Sequence, residues 1–285
     1  MTLREIEHRL RRARLSYGHG THDARGEAAW LFSSSRSPRK RKELLERRIQ
    51  ERIPLAYLLN EAWLDGRRFY VDRRVIVPRS FISELLCERL RPWLQRPVRW
   101  ALDLCTGSGC LAVLLASTFP RARIDASDLS RDALEVASIN VRRCRLSRRV
   151  RLVRSNLFAS LKNRTYDLIV TNPPYVDART MRRLPPEYDY EPRIALAAGA
   201  DGLDFVRTIL SKAARHLNPG GLLVCEVGDG RRALERAYPR LPFLWPETSD
   251  PGTLFILRRD QLPGAAGARR RRAFGKSARR ARATR

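Results

Sequence analysis

Apolar residues in the first sixty positions recur at helical spacing. Leu3, Ile6, Leu10 and Ala13 share one helical face, Ser16 to His22 breaks the run, and 28–32 and 44–53 read as two further helices. From Asn60 to Pro78 the pattern changes to alternation with β-rich residues. The runs Phe69-Tyr70-Val71 and Val75-Ile76-Val77 flank Asp72-Arg73-Arg74, which predicts a hairpin there. A helix is expected over 81–94. Beyond it, short apolar runs alternate with helical stretches. Strands are expected near 100–104, 123–127, 150–154, 166–171, 221–227, 243–245 and 253–258, and helices near 110–118, 131–143, 203–216 and 231–237. This alternation predicts an α/β fold with a seven-stranded, mainly parallel sheet covered by helices on both faces. Residues 176–202 follow neither period and read as a long irregular insertion, a feature that in a compact domain is functional or disordered. The chain so divides into a small N-terminal helical domain (1–59), a β-hairpin linker (60–80), an α/β domain (81–262) and a tail (263–285).

Two motifs carry candidate chemistry. Asn172-Pro173-Pro174-Tyr175 closes the apolar run that begins at Tyr166. Neither proline has a backbone N–H, and a residue before proline is held extended, so the corner is stiff. Its carbonyls lack nearby N–H partners, and an amide side chain stands beside them. Such a corner accepts hydrogen bonds from an –NH2 group, although a Pro-Pro pair after a strand can also be only a turn. The second motif is Leu102-Asp103-Leu104-Cys105-Thr106-Gly107-Ser108-Gly109, a glycine turn between a buried strand and a helix. Missing Cβ atoms let a ligand approach such a backbone.

Asp128 ends the next strand, 19 residues after Gly109. In doubly wound nucleotide folds a carboxylate there meets ribose hydroxyls, though Asp128 could equally cap the helix that starts near Arg131. Gly107-Ser108-Gly109-Cys110-Leu111-Ala112 also fits the dinucleotide fingerprint, so a nicotinamide enzyme is the rival reading. The order of the pieces favours S-adenosylmethionine instead. The glycine turn, Asp128, Asn156 and the Asn-Pro-Pro-Tyr corner all stand at carboxyl ends of expected parallel strands. Asp103 suits a cationic amino-acid moiety and would repel a pyrophosphate. On this reading Cys105, Thr106, Gly107, Ser108 and Gly109 line the methionine part, Asp128 the ribose, and Asn156 with Leu157 the adenine. Asn172 stands at the reacting end.

Composition narrows the picture. The chain has 285 residues, 43% hydrophobic, and no run of 18 apolar residues, so no membrane span is expected. The N-terminus lacks the apolar stretch of a secretory signal. Five cysteines and four histidines complete no zinc pattern, so no metal is expected, and reduced thiols fit a cytoplasmic protein. Net charge is +27. Residues 264–285 hold eight Arg, one Lys and no acid, which predicts a disordered tail that contacts ribosomal RNA.

The chain resembles the bacterial protein N(5)-glutamine methyltransferases. Asp103-x-x-Thr-Gly-Ser-Gly and Asn172-Pro-Pro-Tyr carry the resemblance, with Glu191-Pro192 and Asp201-Gly202-Leu203 downstream. Within the family it is most similar to the branch that modifies the third large-subunit ribosomal protein. The segments behind this are Tyr17-Gly-His-Gly-Thr21, Glu51-Arg-Ile-Pro-Leu-Ala-Tyr57, Phe69-Tyr-Val-Asp72, Val77-Pro-Arg-Ser80, Val176-Asp-Ala178 and Leu184-Pro-Pro-Glu-Tyr188. The resemblance covers roughly residues 16–262. It implies a class I, Rossmann-like methyltransferase fold, a helical domain that docks the protein substrate, and transfer from S-adenosylmethionine to a glutamine amide during ribosome assembly. The Asn172 side-chain oxygen and the Pro173 carbonyl would accept the two amide hydrogens, Pro174 would stiffen the corner, and Tyr175 would stack on the amide. Asn156 departs from the family, which carries Asp before Leu-Phe. The alternatives are the sister branch acting on peptide-release factors, a nucleic-acid amino-methyltransferase, and a non-catalytic assembly factor.

Overall fold

A computed structural model describes residues 1–265 apart from Pro92. The basic stretch from Ala266 onward, and the disorder expected of it, lie outside the described residues. The N-terminal part holds four helices: α1 (Leu3–Arg12), α2 (Ala24–Ser34), α3 (Pro38–Gln50) and α4 (Leu55–Leu59). Thr2 and Glu5 form a reciprocal capping box at the start of α1. Ile6 and Leu10 of α1 pack on Ala28 and Leu31 of α2 and on Leu44 and Leu45 of α3 in a small separate core. The hydrophobic spacing near residue 3 is thus borne out, while the second and third helices begin earlier than the spacing indicated.

The hairpin is displaced from its expected place. It joins β1 (Ala62–Leu64) to β2 (Arg67–Phe69) through Asp65-Gly66, both with positive φ (51° and 66°). That geometry matches strand twist, and Asp-Gly supplies it with little strain. Asp72 does form a turn, accepting from the backbone N–H groups of Arg74 and Val75, but the flanking runs do not pair. Helix α5 (Ile82–Cys87) is also shorter than expected, because Arg89 and Leu90 enter the left-handed region (φ 54° and 55°) and Leu90 turns into the core.

The remaining elements alternate: β3 (Trp100–Leu104), α6 (Cys110–Thr118), β4 (Arg123–Asp128), α7 (Arg131–Arg143), β5 (Val150–Arg154), β6 (Tyr166–Thr171), α8 (Ala178–Met181), α9 (Asp204–His216), β7 (Leu217–Glu226), α10 (Arg231–Ala237) and β8 (Leu254–Arg258). The sheet has six strands in the order β5-β4-β3-β6-β7-β8, all parallel except the β7–β8 pair. The expected strand at 243–245 contributes only one bridge, between Leu244 and Ile256. Pro242 and Pro246 bracket it, and neither can donate to a ladder. Along β6, Leu168 and Val170 enter one core layer and Ile169 the other, so both faces of the sheet are buried.

The strand order reverses between β3 and β6, and such a switch point opens a crevice at the carboxyl ends of the strands. The insertion after β6 folds over that crevice. It is not structureless: besides α8 it holds 3₁₀ turns at Pro186–Tyr190 and Arg193–Ala195, and Val176 bridges Ala197. Arg48 of α3, which is buried, ties the N-terminal helices to this insertion. It donates to Glu27 at 2.6 Å, to the Ser16 carbonyl at 2.9 Å and to Glu187 at 3.4 Å.

Candidate active site

Thr171 ends β6 by donating its hydroxyl to the Leu104 carbonyl of β3 at 2.7 Å, which brings the two motifs side by side. A cleft of about 720 Å³ opens there. Its walls include Cys105, Gly107, Asp128, Asn156, Leu157 and Asn172, with Ile76 from the linker and Phe205 from α9. A second cleft, of about 470 Å³, lies on the other side of the corner and is lined by Asn172, Pro173, Tyr175, Arg79, Leu184 and Tyr188, among others. Asn172 borders both.

The glycine turn shapes the first cleft. Gly107 has φ +53°, and a Cβ placed there would meet no protein atom, so the bare backbone faces open space. Its N–H donates to Asp128 Oδ2 at 2.9 Å, while the Ser130 N–H donates to Asp128 Oδ1 at 2.9 Å. Asp128 is therefore held in place at the cleft wall, and burial raises its carboxyl above the usual range. Two lone-pair directions on that carboxylate are already used, and the others suit a diol.

Four of the residues expected at the cofactor lie behind the cleft surface. Asp103 is fully buried and accepts from the Thr106 hydroxyl and from the Ala112 N–H at 2.9 Å. Its Oδ1 has no partner among the described residues, and burial pushes the carboxyl up to about 7 despite those two hydrogen bonds. Thr106 and Ser108 are buried under the turn. Gly109 caps α6 in the left-handed conformation and packs against Ala137 of α7. Asn140, also on α7, accepts from the Tyr70 N–H at 2.7 Å and donates to the Tyr70 and Ser108 carbonyls at 2.9 Å each. This side chain anchors the linker to the glycine turn, and nothing in the α7 pattern announced it.

At the corner, Pro173 and Pro174 are buried, and Asn172 and Tyr175 are half-buried. Asn172 Nδ2 donates to the Arg79 carbonyl at 3.1 Å. That bond uses one of the two N–H donors of the amide and turns the –NH2 toward Arg79, leaving Oδ1 as an acceptor. Among the described residues, none donates to Asn172 Oδ1 or to the Pro173 carbonyl. Burial pushes the Tyr175 phenol up to about 12, so it stays neutral. The ring lies against Gly228, where a Cβ would come within 2.6 Å of Tyr175 Cε2.

Linker residue Arg79 was part of a quoted motif, but its role was not legible in the sequence. Its guanidinium forks onto Glu191 at 2.6 Å through each nitrogen. Burial acts to raise Glu191, but Arg79 and the hydrogen bonds outweigh it and hold the carboxyl below its usual range. His19 approaches Glu191 at 3.8 Å, yet burial lowers its pKa to about 4, so the pair is not an ion pair near neutrality. Among the described residues no group of three or more His, Cys, Asp or Glu could hold a metal ion, and no helix is long and apolar enough to cross a membrane.

A switch-point crevice with a bare glycine turn, an acid after the second strand and an Asn-Pro-Pro-Tyr corner after the fourth defines a class I methyltransferase. Residues 81–184 match the family model described as "Methyltransferase small domain". Among solved structures, the hMettl16 catalytic domain in complex with a MAT2A 3′UTR hairpin aligns with a TM-score of 0.52 at 15% identity, over 76% of this chain and 78% of that one. That likeness concerns the fold alone. The sequence relatives are far closer. The ribosomal protein uL3 glutamine methyltransferase of Neisseria meningitidis serogroup A is 50% identical over 283 residues, 92% of this chain and 93% of its own. Its counterpart in Bordetella pertussis is 48% identical over 275 residues, 89% of this chain and 92% of its own. The chain belongs to the family of ribosomal protein uL3 glutamine methyltransferases.

Proposed function

We propose that this protein methylates the side-chain amide nitrogen of a glutamine on ribosomal protein uL3. The observation that carries the reading is the pair of unused acceptors at one rigid corner, Asn172 Oδ1 and the Pro173 carbonyl, at the junction of two clefts. A primary amide presents two N–H donors, and these two oxygens take them both. The amide nitrogen lone pair is delocalised into the carbonyl, so the nitrogen is a weak nucleophile. Holding both hydrogens in one plane aims its density out of that plane, and preorganised dipoles act without reorganisation cost. Tyr175 covers the amide and excludes water. The nitrogen would gain the methyl group as the donor's carbon–sulfur bond breaks and its electron pair stays on sulfur. It would give up one proton, acidic only after the new bond forms, to solvent as the methylated amide leaves the corner.

S-adenosylmethionine, when bound, supplies an electrophilic sulfonium methyl. The first cleft fits it: Gly107 offers open backbone, Asp128 an acceptor for ribose hydroxyls, and Asn156 with Leu157 a site for adenine. Asn156 is neutral where the family resemblance expects Asp, so it offers an amide oxygen without charge. Asp103, beneath the turn, would act on the cofactor through the loop it braces, while Thr106, Ser108 and Gly109 give that loop its shape.

The second cleft admits the glutamine, and its wall from the 176–202 insertion reads the surrounding protein. The N-terminal helices, joined to that insertion through Arg48, dock the substrate, and the domain limits 1–59, 60–80 and 81–262 describe these tasks. The protein works in the cytoplasm during assembly of the large subunit, and the basic residues 264–285 contact ribosomal RNA there. A competition assay tests the substrate. Offered purified uL3, a peptide-release factor and ribosomal RNA with radiolabelled S-adenosylmethionine, the enzyme is expected to label uL3 at least tenfold faster. Preferential labelling of the release factor or of RNA would overturn the assignment.

A further inference from the structure

Asn172 works as an acceptor only if its amide is held one way round. An amide that turns by 180° presents –NH2 to the substrate's own –NH2. Among the described residues, the one bond that fixes it runs from Nδ2 to the Arg79 carbonyl. What holds that carbonyl is therefore part of the machinery. Glu191, buried in the insertion, grips the linker segment that carries it. Glu191 Oε1 accepts from the Val77 N–H at 2.9 Å and from Arg79 Nη1 at 2.6 Å, and Oε2 accepts from Arg79 Nη2 at 2.6 Å. Arg79 Nη1 also reaches the Val77 carbonyl at 3.2 Å. The carboxylate thus closes a ring through both ends of the three-residue segment Val77–Arg79. Tyr188 covers the Arg79 guanidinium, 5.5 Å from its ring centre, and His19 stands against Glu191 from the N-terminal part.

We propose that Glu191 is a positioning residue for methyl transfer. It acts through Arg79 on Asn172, and it makes the orientation of the acceptor depend on the seating of the insertion. The inference rests on the reading of the corner as the amide-binding element. A competing anchor exists on the next residue, since Ser80 donates to Glu226, and if that anchor suffices Glu191 is dispensable.

A double-mutant cycle on the full chain separates these cases. Single-turnover transfer to purified uL3 is measured alongside calorimetric binding of S-adenosylmethionine. Glu191→Gln is expected to slow transfer by roughly 10- to 100-fold, the cost of a small misplacement at a reacting centre. Cofactor affinity should stay within about twofold. In an Asn172→Ala background the same change should cost less than about threefold, because the group through which it acts is gone. Arg79→Lys, which keeps the charge but not the fork, should show the same pattern more weakly, and it carries the test if Glu191→Gln does not fold. Wild-type transfer in both variants overturns the inference. So does a loss repeated in full in the Asn172→Ala background, which would mark a general structural role. Normal transfer by Asn172→Ala alone would sink the corner reading itself, and the inference with it.

Discussion

At the scale of single residues, the two sides of the site make separable demands. On the proposed mechanism Asn172 faces the reacting amide, so Asn172→Ala would remove an acceptor that matters at the moment of transfer. We expect a loss of about 100-fold or more in turnover, comparable to deleting a preorganised hydrogen-bonding group elsewhere, with cofactor binding retained. Asp128 has the opposite profile. Its loss frees the Gly107 and Ser130 N–H groups and, on the proposed reading, removes the acceptor for the ribose diol. Asp128→Ala should weaken S-adenosylmethionine about 10- to 100-fold, as for hydrogen bonds to a charged group. Calorimetry and a transfer assay on the same two variants check both statements. The corner was legible in the sequence because its chemistry is local: proline lacks an N–H wherever it stands. Asp103 was less legible, since a sequence does not say which side of a turn a carboxylate occupies. Glu191 was hidden for another reason. Its partners, Val77 and Arg79, lie 114 and 112 positions away, and no local pattern links them.

At the scale of elements, the parallel core was readable and its margins were not. Strands 100–104 and 166–171 and helix 131–143 match β3, β6 and α7 because long apolar periods reflect burial on known faces. The hairpin was misplaced because β-rich residues at 69–71 and 75–77 outweighed the turn at Asp65-Gly66, which sets the strand twist. The loop after β7 belongs to the site for a reason that only three dimensions show. Gly228 has φ +50°, and its missing Cβ makes room for the Tyr175 ring, whose Cε2 and Cδ2 would lie 2.6 and 2.8 Å away. Gly228→Ala must therefore move Tyr175 off the corner as well as strain the backbone. The expected result is roughly tenfold or greater loss of transfer with cofactor binding little changed, since Gly228 does not line the first cleft. A crystal structure of the variant with Tyr175 in its original place and unaltered kinetics would contradict this.

At the scale of the whole molecule, charge is the dominant fact. The chain carries +27, and residues 264–285 account for nine of those charges within 22 positions. Several of the body's acids are paired with arginines: Glu27 and Glu187 with Arg48, Glu191 with Arg79, Asp125 with Arg151. Residues 264–285 contain no acid of their own, and on the proposed reading their positive charge meets a polyanion. A protein that neutralises phosphates releases condensed counterions, and its affinity then falls steeply with salt. If about six of the nine charges meet phosphates, affinity for ribosomal RNA fragments should fall roughly a thousandfold between about 50 and 200 mM salt. Truncation after residue 263 should flatten that slope and weaken RNA binding. Methylation of free, RNA-less uL3 should be nearly unchanged, because the clefts are built from residues upstream of the cut. An identical salt slope in the truncated protein would assign RNA binding to the arginines of the body. A large loss of activity on free uL3 would instead place the basic stretch in recognition of the protein substrate.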